Sequence, residues 1–371
     1  MQGSHESLRA GRLGLLAAGV ALVMAAGLRP ETLRAQGRAE PAVVDVSGVE
    51  RFLEITALLE RDSEPAPAQW DSLFGTPGYT VLLRREFRRD FFIRRFELAF
   101  MPSKRADLEE QRRRDTGFYA QFLPHYLRAK SMREEIRRRM EELRTADFSR
   151  DALARARAFL PNPLPDGAPS VAFVIFAPDA RGYDPVVVDI LLARGREEFL
   201  NLVAHEFHHW YRARLAPDLT RHQQTLRTIE QIQLEGIADL INVPSRLDTA
   251  ADTLSSYDRQ YLDYLRNSPA TIRVVDSLLA AMLRNPSGAR DLGERLRAAV
   301  PLSGHPTGYY MARTILEEMG REALVSTVSN PFAFFRLYSQ AASRRRDGTP
   351  PLSARALEFL RQLESQYARP M

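Results

Sequence analysis

The residues best suited to chemistry in this sequence are His205, Glu206 and His209, which match the spacing H-E-x-x-H. On an α-helix, side chains at positions i and i+4 project from the same face one turn apart. His205 and His209 can therefore offer two imidazole nitrogens to one Zn²⁺ ion at about 2.0–2.1 Å. Glu206 lies beside them, where it can take a proton from a metal-bound water. The spacing predicts a catalytic metal site on a helix.

His208 is a rival for His209, because it lies at i+3 from His205. It is one residue away from the position that lets Glu206 serve as the base. We therefore interpret His208 as a residue that supports the ligands or lines the site, and His209 as the ligand.

The sequence contains no cysteine, so neither disulfide bonds nor thiolate ligands are possible. Any tightly held metal must use histidine, aspartate or glutamate side chains. Apolar residues around the motif, including Phe199, Val203 and Phe207, recur at helical spacing and predict a helix over 197–213.

The third ligand decides the subclass of such a site. A metzincin requires glycine at 212 and histidine at 215, whereas this chain has Arg212 and Leu215, which excludes that class. The next predicted helix, 220–242, carries Glu235, which can complete the ligand set. Asp239 follows on the same face, where its carboxylate can accept the free N–H of a ligand histidine.

Two other interpretations of this segment stay open. Glu230 is a rival ligand, but it has Leu234 rather than an acid four residues later. Glu235 and Asp239 could also be an exposed acidic pair without a metal. Gly236 costs a helix about 1 kcal/mol relative to alanine, which is tolerated where a neighbouring helix or a metal site must approach closely.

The sequence H-E-x-x-H, followed on the next helix by E-x-x-x-D, resembles the gluzincin, or thermolysin-like, metallopeptidases. The form Glu-Gly-x-Ala-Asp at 235–239 is similar to families catalogued as zinc-dependent peptidases. The resemblance covers roughly residues 170–320. It implies that His205, His209 and Glu235 bind one Zn²⁺ ion, that Glu206 is the general base, and that the substrate is a peptide or a protein.

In such peptidases a tyrosine or histidine from elsewhere in the chain stabilises the oxyanion. The segment 304–312 resembles a glycine- and tyrosine-rich segment of these families. His305, Tyr309 and Tyr310 are the candidates, since each can donate a hydrogen bond to the developing oxyanion. An aromatic helix start that is simply buried is the alternative interpretation of this segment.

The N-terminus has the features of an export signal. Arg9 and Arg12 precede an uncharged apolar run, Leu13 to Leu28, and Ala35 suits the position before a cleavage. The apolar run has 16 residues, which is short for a helix that spans a membrane. We predict a signal peptide over 1–35 and a periplasmic or extracellular mature protein, with an uncleaved anchor as the alternative and no other membrane contact.

After the signal, residues 43–160 have an almost wholly helical pattern, including Ser131 to Arg144 with acid–arginine pairs at i,i+4. The segment 161–167 contains three prolines and predicts a lobe boundary. Strands are predicted at Val171–Phe176 and Val186–Leu191, either of which can present an edge to an extended peptide. Further helices are predicted at about 197–213, 220–242, 255–266, 270–284, 307–319 and 352–366, with Pro217 and Pro244 closing the first two.

These elements predict a mainly α protein with a small β-sheet, an α+β fold. A helical N-terminal lobe, 36–165, would pack on a zincin-like catalytic region, 166–371, whose helical C-terminal part covers 250–371. The net charge of +5 comes almost entirely from arginine, and no nucleic-acid-binding module is visible, so we predict no nucleic-acid partner. The sequence does not determine the oligomeric state.

Three functions other than a peptidase remain compatible with these residues. The chain could be an exported, zinc-stabilised scaffold without turnover, or a zinc hydrolase of a non-peptide amide or ester. It could also be an inactive zymogen held by the helical lobe. Metal content, a substrate panel and limited proteolysis distinguish these functions from a peptidase.

Overall fold

The computed structural model describes residues 43–145, 147–193, 195–216, 219, 223–247 and 254–367. The predicted signal peptide, 1–35, and Pro217 lie outside the described residues, so the prediction of export stays a prediction. Among the helices that are described, none combines the length and the apolar composition needed to cross a lipid bilayer.

A small four-stranded sheet forms from β1 (Val44–Asp45), β2 (Val171–Val174), β3 (Ala180–Arg181) and β4 (Val186–Asp189). The strand order is β1-β2-β4-β3. β1 and β4 both pair parallel with β2, and β3 pairs antiparallel with β4. Every residue of β2 and β4 is buried, as expected for continuous apolar runs in the middle of a sheet.

In the sequence, helices lie between β1 and β2 and again after β4. Between β1 and β2 the described chain forms α1 (Ser47–Leu59), α2 (Pro67–Phe74), α3 (Pro77–Arg85), α4 (Arg89–Phe100), α5 (Arg105–Arg114), α6 (Phe122–Ser131), α7 (Arg133–Leu143) and α8 (Asp147–Arg157). After β4 it forms α9 (Arg196–Leu215), α10 (Gln224–Leu247), α11 (Ser256–Arg266), α12 (Ser268–Arg284), α13 (Ala289–Ala299), α14 (His305–Met319), α15 (Arg321–Val325), α16 (Pro331–Arg344) and α17 (Ala354–Tyr367). The predicted fold class, mainly α with a small sheet, is confirmed.

One sequence prediction about these elements is wrong. The prediction that Pro244 closes its helix fails, because α10 continues to Leu247. A proline so close to a helix end removes one hydrogen bond, and the residues that follow it can still complete the last turn. Sequence analysis also did not predict α13, α15 or α16.

The prediction that β2 or β4 presents an edge to a peptide is also wrong. Each of these strands has a neighbour on both sides, so their backbone groups are largely occupied by the sheet itself. The edge beside β4 is β3, a two-residue strand that sequence analysis did not predict.

The helical N-terminal part is joined to the sheet by buried polar contacts. The hydroxyl groups of Tyr79 and Tyr126 donate to the carbonyl groups of Ile175 and Phe176, just beyond β2, at 2.6 and 2.8 Å. Buried apolar side chains form one continuous core that runs from the first helix to the last. The predicted lobe boundary at 161–167 stays a prediction.

Candidate metal centre

Helix α9 carries the H-E-x-x-H motif and has 20 residues. Its first turn contains Glu197 and Glu198, and its last turn contains Arg212 and Arg214. These charges oppose the partial charges of the helix ends and stabilise the helix. Because α9 is buried along most of its length, its side chains are held by packing on several sides.

Three side chains from two helices converge on one point. The Nε2 atoms of His205 and His209 lie 2.9 Å apart. The Oε2 atom of Glu235, on α10, lies 3.1 Å from Nε2 of His209 and 3.4 Å from Nε2 of His205. Because α10 packs directly against α9, the carboxylate reaches the pair of imidazoles from the facing helix.

The spacing of these three atoms fits a metal ion. Ligands at about 2.0–2.1 Å in a tetrahedral arrangement lie about 3.3 Å from one another, which matches separations of 2.9 to 3.4 Å. The buried Oε2 of Glu235 has no well-formed hydrogen bond among the described residues. Two neutral imidazoles and one carboxylate are the donor set of a catalytic zinc site, which keeps a fourth position for water.

Asp239 lies one turn after Glu235 on α10 and is almost fully buried. Its Oδ2 accepts a hydrogen bond from Nδ1 of His305 at 3.0 Å and another from the hydroxyl of Tyr261 at 2.8 Å. Its Oδ1 lies 3.5 Å from Nδ1 of His205. The carboxylate is therefore beside the ligand histidine, and it also contacts two groups from α14 and α11.

Helices α10 and α14 cross at two glycines in close contact. A Cβ atom on Gly236 would lie 2.3 Å from the carbonyl carbon of Gly308, and one on Gly308 would lie 2.0 Å from the carbonyl oxygen of Ile232. No side chain fits at these distances. The close approach predicted at Gly236 is thus that of a neighbouring helix, and it brings His305 to Glu235 and Asp239.

The electrostatics of the cluster follow from burial and from opposite charges at short range. Burial raises the pKa of Glu206. Burial would also raise the pKa of Glu235, but the charges of His305 and His209 outweigh it and hold that pKa well below its usual range. Burial lowers the pKa of His305, yet the carboxylates of Glu235 and Asp239 raise it to about 10.

The other predicted residues have different surroundings. His208 is fully buried and its Nε2 lies 3.2 Å from the carbonyl oxygen of Phe159. The Nε2 atom of His305 lies 3.4 Å from Oε2 of Glu235. Tyr310 is bonded through its hydroxyl to that of Thr349 at 2.9 Å, and Tyr309 is buried beside Arg313. Of the three oxyanion candidates, His305 is the one in contact with the cluster.

The end of edge strand β3 lies against the motif. A Cβ atom on Gly182 would lie 2.9 Å from Cβ of His209 and 3.2 Å from Oε2 of Glu206. Arg181 and Tyr183 on either side bond to Glu86, at the end of α3, at 2.6 and 2.5 Å. The N-terminal helices therefore hold the segment that passes over the proposed base.

A buried polar network fixes α9 relative to α10. Arg212 forms an ion pair with Glu230, and both side chains are almost fully buried. Gln233 donates to the carbonyl groups of Thr327 and Val328, each at 2.9 Å. Glu230, the rival ligand, therefore forms an ion pair with an arginine of α9 rather than contacting the histidines.

Sequence analysis missed the roles of Tyr261, Gly308 and Gly182, and it missed the pairing of Glu230 with Arg212. Gly308 belongs to the segment that drew attention for its tyrosines, so its glycine was a usable signal. Tyr261 had none, because a tyrosine on an amphipathic helix is most simply a core residue.

Residues 70–347, about three quarters of the chain, match a family model described as "Putative zinc dependent peptidase (DUF5700)". The chain belongs to this family. The matched segment includes all of the side chains of the candidate metal centre, from His205 to His305. The family description associates the family with zinc and with peptide substrates.

The family description does not name a mechanism or a subclass. No curated protein and no solved structure is significantly similar to this chain. The residue roles at the metal centre therefore depend on the geometry of this chain.

Proposed function

We propose that this protein is a zinc-dependent peptidase of the gluzincin, thermolysin-like, type, in which Glu206 is the general base. The convergence of His205, His209 and Glu235 within 2.9–3.4 Å of one another is the observation that carries the proposal. Family membership supports it at the coarser level of zinc dependence and peptide substrates. Export through residues 1–35 is part of the proposal and is supported by sequence alone.

When Zn²⁺ is bound by these three side chains, it supplies a Lewis acid that polarises a carbonyl group and makes a water molecule more acidic. Glu206 takes the proton of that water and later gives it to the leaving amine. Its burial supports this role, because a carboxylate that is poorly solvated holds a proton more readily. His305 donates from Nε2 to the carbonyl oxygen as negative charge develops there.

An extended peptide is proposed to bind beside β3. This strand is at the edge of the sheet. The backbone N–H and C=O of Ala180 bond to the side chains of Asp179 and Arg181, which a peptide paired with the strand would displace. Gly182 follows it against Glu206 and His209, where the absence of a side chain leaves room for a substrate backbone. A substrate paired with β3 would then pass over the proposed base.

The metal content of purified protein tests the central assignment. Wild type is expected to hold one zinc ion per chain, and His205→Ala is expected to hold at least about tenfold less, because one of three protein ligands is gone. His208→Gln is the control: it keeps a donor for the Phe159 carbonyl and leaves the three ligand atoms in place. Equal zinc content in wild type and His205→Ala would contradict the proposal.

The assignment of the oxyanion donor makes a separate prediction. His305→Ala is expected to lower kcat by about tenfold or more, since one donor to the developing charge is lost. Tyr310→Phe is expected to stay near wild type, because its hydroxyl is bonded to Thr349. Peptide cleavage by the single variants, with Tyr309→Phe as the third, measures this. The role of His305 is wrong if a tyrosine variant loses turnover and His305→Ala does not.

A further inference from the structure

The carboxylate of Asp239 lies against the imidazole rings of both His305 and His205. Its Oδ2 accepts from Nδ1 of His305, and its Oδ1 faces Nδ1 of His205 at 3.5 Å. Both rings thereby turn their Nε2 atoms towards Glu235, from which those atoms are each 3.4 Å away. The orientation of this carboxylate consequently affects a metal ligand and the proposed oxyanion donor together.

The hydroxyl of Tyr261 donates a second hydrogen bond to Oδ2 of Asp239, which restricts rotation of the carboxylate. An ionised carboxylate only accepts hydrogen bonds, so the phenol must be the donor. Tyr261 is fully buried on α11, so no bulk water can replace this bond if the hydroxyl is removed. Because the torsion at the end of an aspartate side chain is soft, a carboxylate with one donor fewer can rotate.

Helix α11 is itself fixed close to the metal centre. Ser255 caps it by accepting a hydrogen bond from the backbone N–H of Asp258 at 3.0 Å. The side chain of Asp258 forms an ion pair with Arg246, in the last turn of α10, at 2.6 Å. The position of the Tyr261 hydroxyl is therefore set by contacts on the same helix that carries Glu235 and Asp239.

We propose that Tyr261 is a positioning residue of the metal centre: its hydroxyl orients the Asp239 carboxylate, which bonds to His305 and lies 3.5 Å from Nδ1 of His205. The inference rests on the proposed function. It implies that metal affinity and turnover depend on a single hydroxyl that contacts neither the metal nor the substrate. Groups that hold metal ligands in this indirect way typically change metal affinity or activity by 10- to 100-fold.

Tyr261→Phe tests this inference, because it removes the hydroxyl and keeps the ring. Zinc affinity, measured by competition with a chromophoric chelator, is expected to fall by about tenfold. The visible absorption bands of the Co²⁺-substituted protein are expected to shift, because the orientation of His205 changes. At saturating zinc, kcat on a cleaved peptide is expected to fall by about tenfold with KM little changed.

Tyr264→Phe is the matched control, since it removes the same group three residues later on the same helix, where no hydrogen bond to Asp239 exists. It is expected to match wild type in all three measurements. A double variant extends the test: if Tyr261 acts through Asp239, then adding Tyr261→Phe to Asp239→Asn changes zinc affinity by less than about twofold, the tolerance within which independent effects add. Independent, additive effects overturn the inference.

Two further outcomes would overturn it. One is a Tyr261→Phe protein with wild-type zinc affinity, Co²⁺ spectrum and kcat. The other is a loss of zinc affinity that disappears when the affinity is expressed per folded chain, after folded protein is separated by size-exclusion chromatography. The role of the hydroxyl would then be purely structural. A wild-type protein that binds no zinc, or a His205→Ala protein with full zinc content, would instead refute the proposed function.

Discussion

Glu206→Gln is expected to retain one zinc ion per chain and to lose peptide cleavage by about 10²- to 10⁴-fold, the usual contribution of a general base. Glutamine has nearly the same shape as glutamate, so the helix and the neighbouring histidines should be undisturbed. It cannot take a proton from water at neutral pH. Zinc analysis, together with cleavage of a quenched fluorescent peptide library, measures both results.

The surroundings of Glu206 explain why a large effect is expected. The side chain is buried and feels the charges of His205 and His209, and Gly182 lies against its Oε2 from the β3 side. In this position few other groups can take the proton in its place. The effect is therefore expected in kcat, since the base acts as the bond to the attacking water forms.

Glu197→Gln is the control for this prediction. It makes the same change on the same helix, at an exposed side chain that is paired with Arg155. Turnover is expected to stay within about twofold of wild type, because an exposed ion pair contributes little. A Glu206→Gln protein that holds zinc and cleaves peptides at the wild-type rate would refute the proposed mechanism. A zinc-binding wild type without any turnover would favour the scaffold alternative.

Gly308→Ala is expected to lower the free energy of unfolding by about 3 kcal/mol or more, at the upper end for overpacking. The new methyl group would lie 2.0 Å from the backbone oxygen of Ile232 and 2.8 Å from Cα of Gly236. These are backbone atoms of packed helices, which cannot move aside as the end of a flexible side chain can. The helices α10 and α14 must therefore separate.

This separation is also expected to reach the metal centre. Glu235 and Asp239 lie on α10 beside Gly236, and His305 lies on α14 three residues before Gly308. A shift between the helices lengthens the bond of His305 to Asp239, which is 3.0 Å in the native protein. We therefore expect zinc affinity and kcat to fall together with stability. Chemical denaturation and zinc titration of the same protein measure this.

Gly195→Ala is the control for the glycine substitution. A Cβ atom at Gly195 meets no other atom within 4 Å. Its φ of −158° is open to any residue. Alanine at this position, where α9 begins, is expected to cost less than about 1 kcal/mol. If Gly308→Ala were as mild as Gly195→Ala, the close crossing of α10 and α14 would be wrong.

The sequence by itself determined the features that depend on neighbouring residues. Helix geometry places His205 and His209 on one face whatever surrounds them, and the same rule puts Asp239 one turn after Glu235. The buried strands were predictable because an apolar run of four to six residues, rich in valine, has few other stable arrangements. The prediction of a mainly α fold followed from these local patterns.

The tertiary structure alone decided which distant residues meet. Tyr261 contacts Asp239 across 22 positions, and His305 contacts it across 66. It also decided that β3 is the sheet edge beside β4. Such pairs depend on the angles at which helices cross and on the order of strands in the sheet. The packing of the whole core sets both, so local sequence patterns do not predict these pairs.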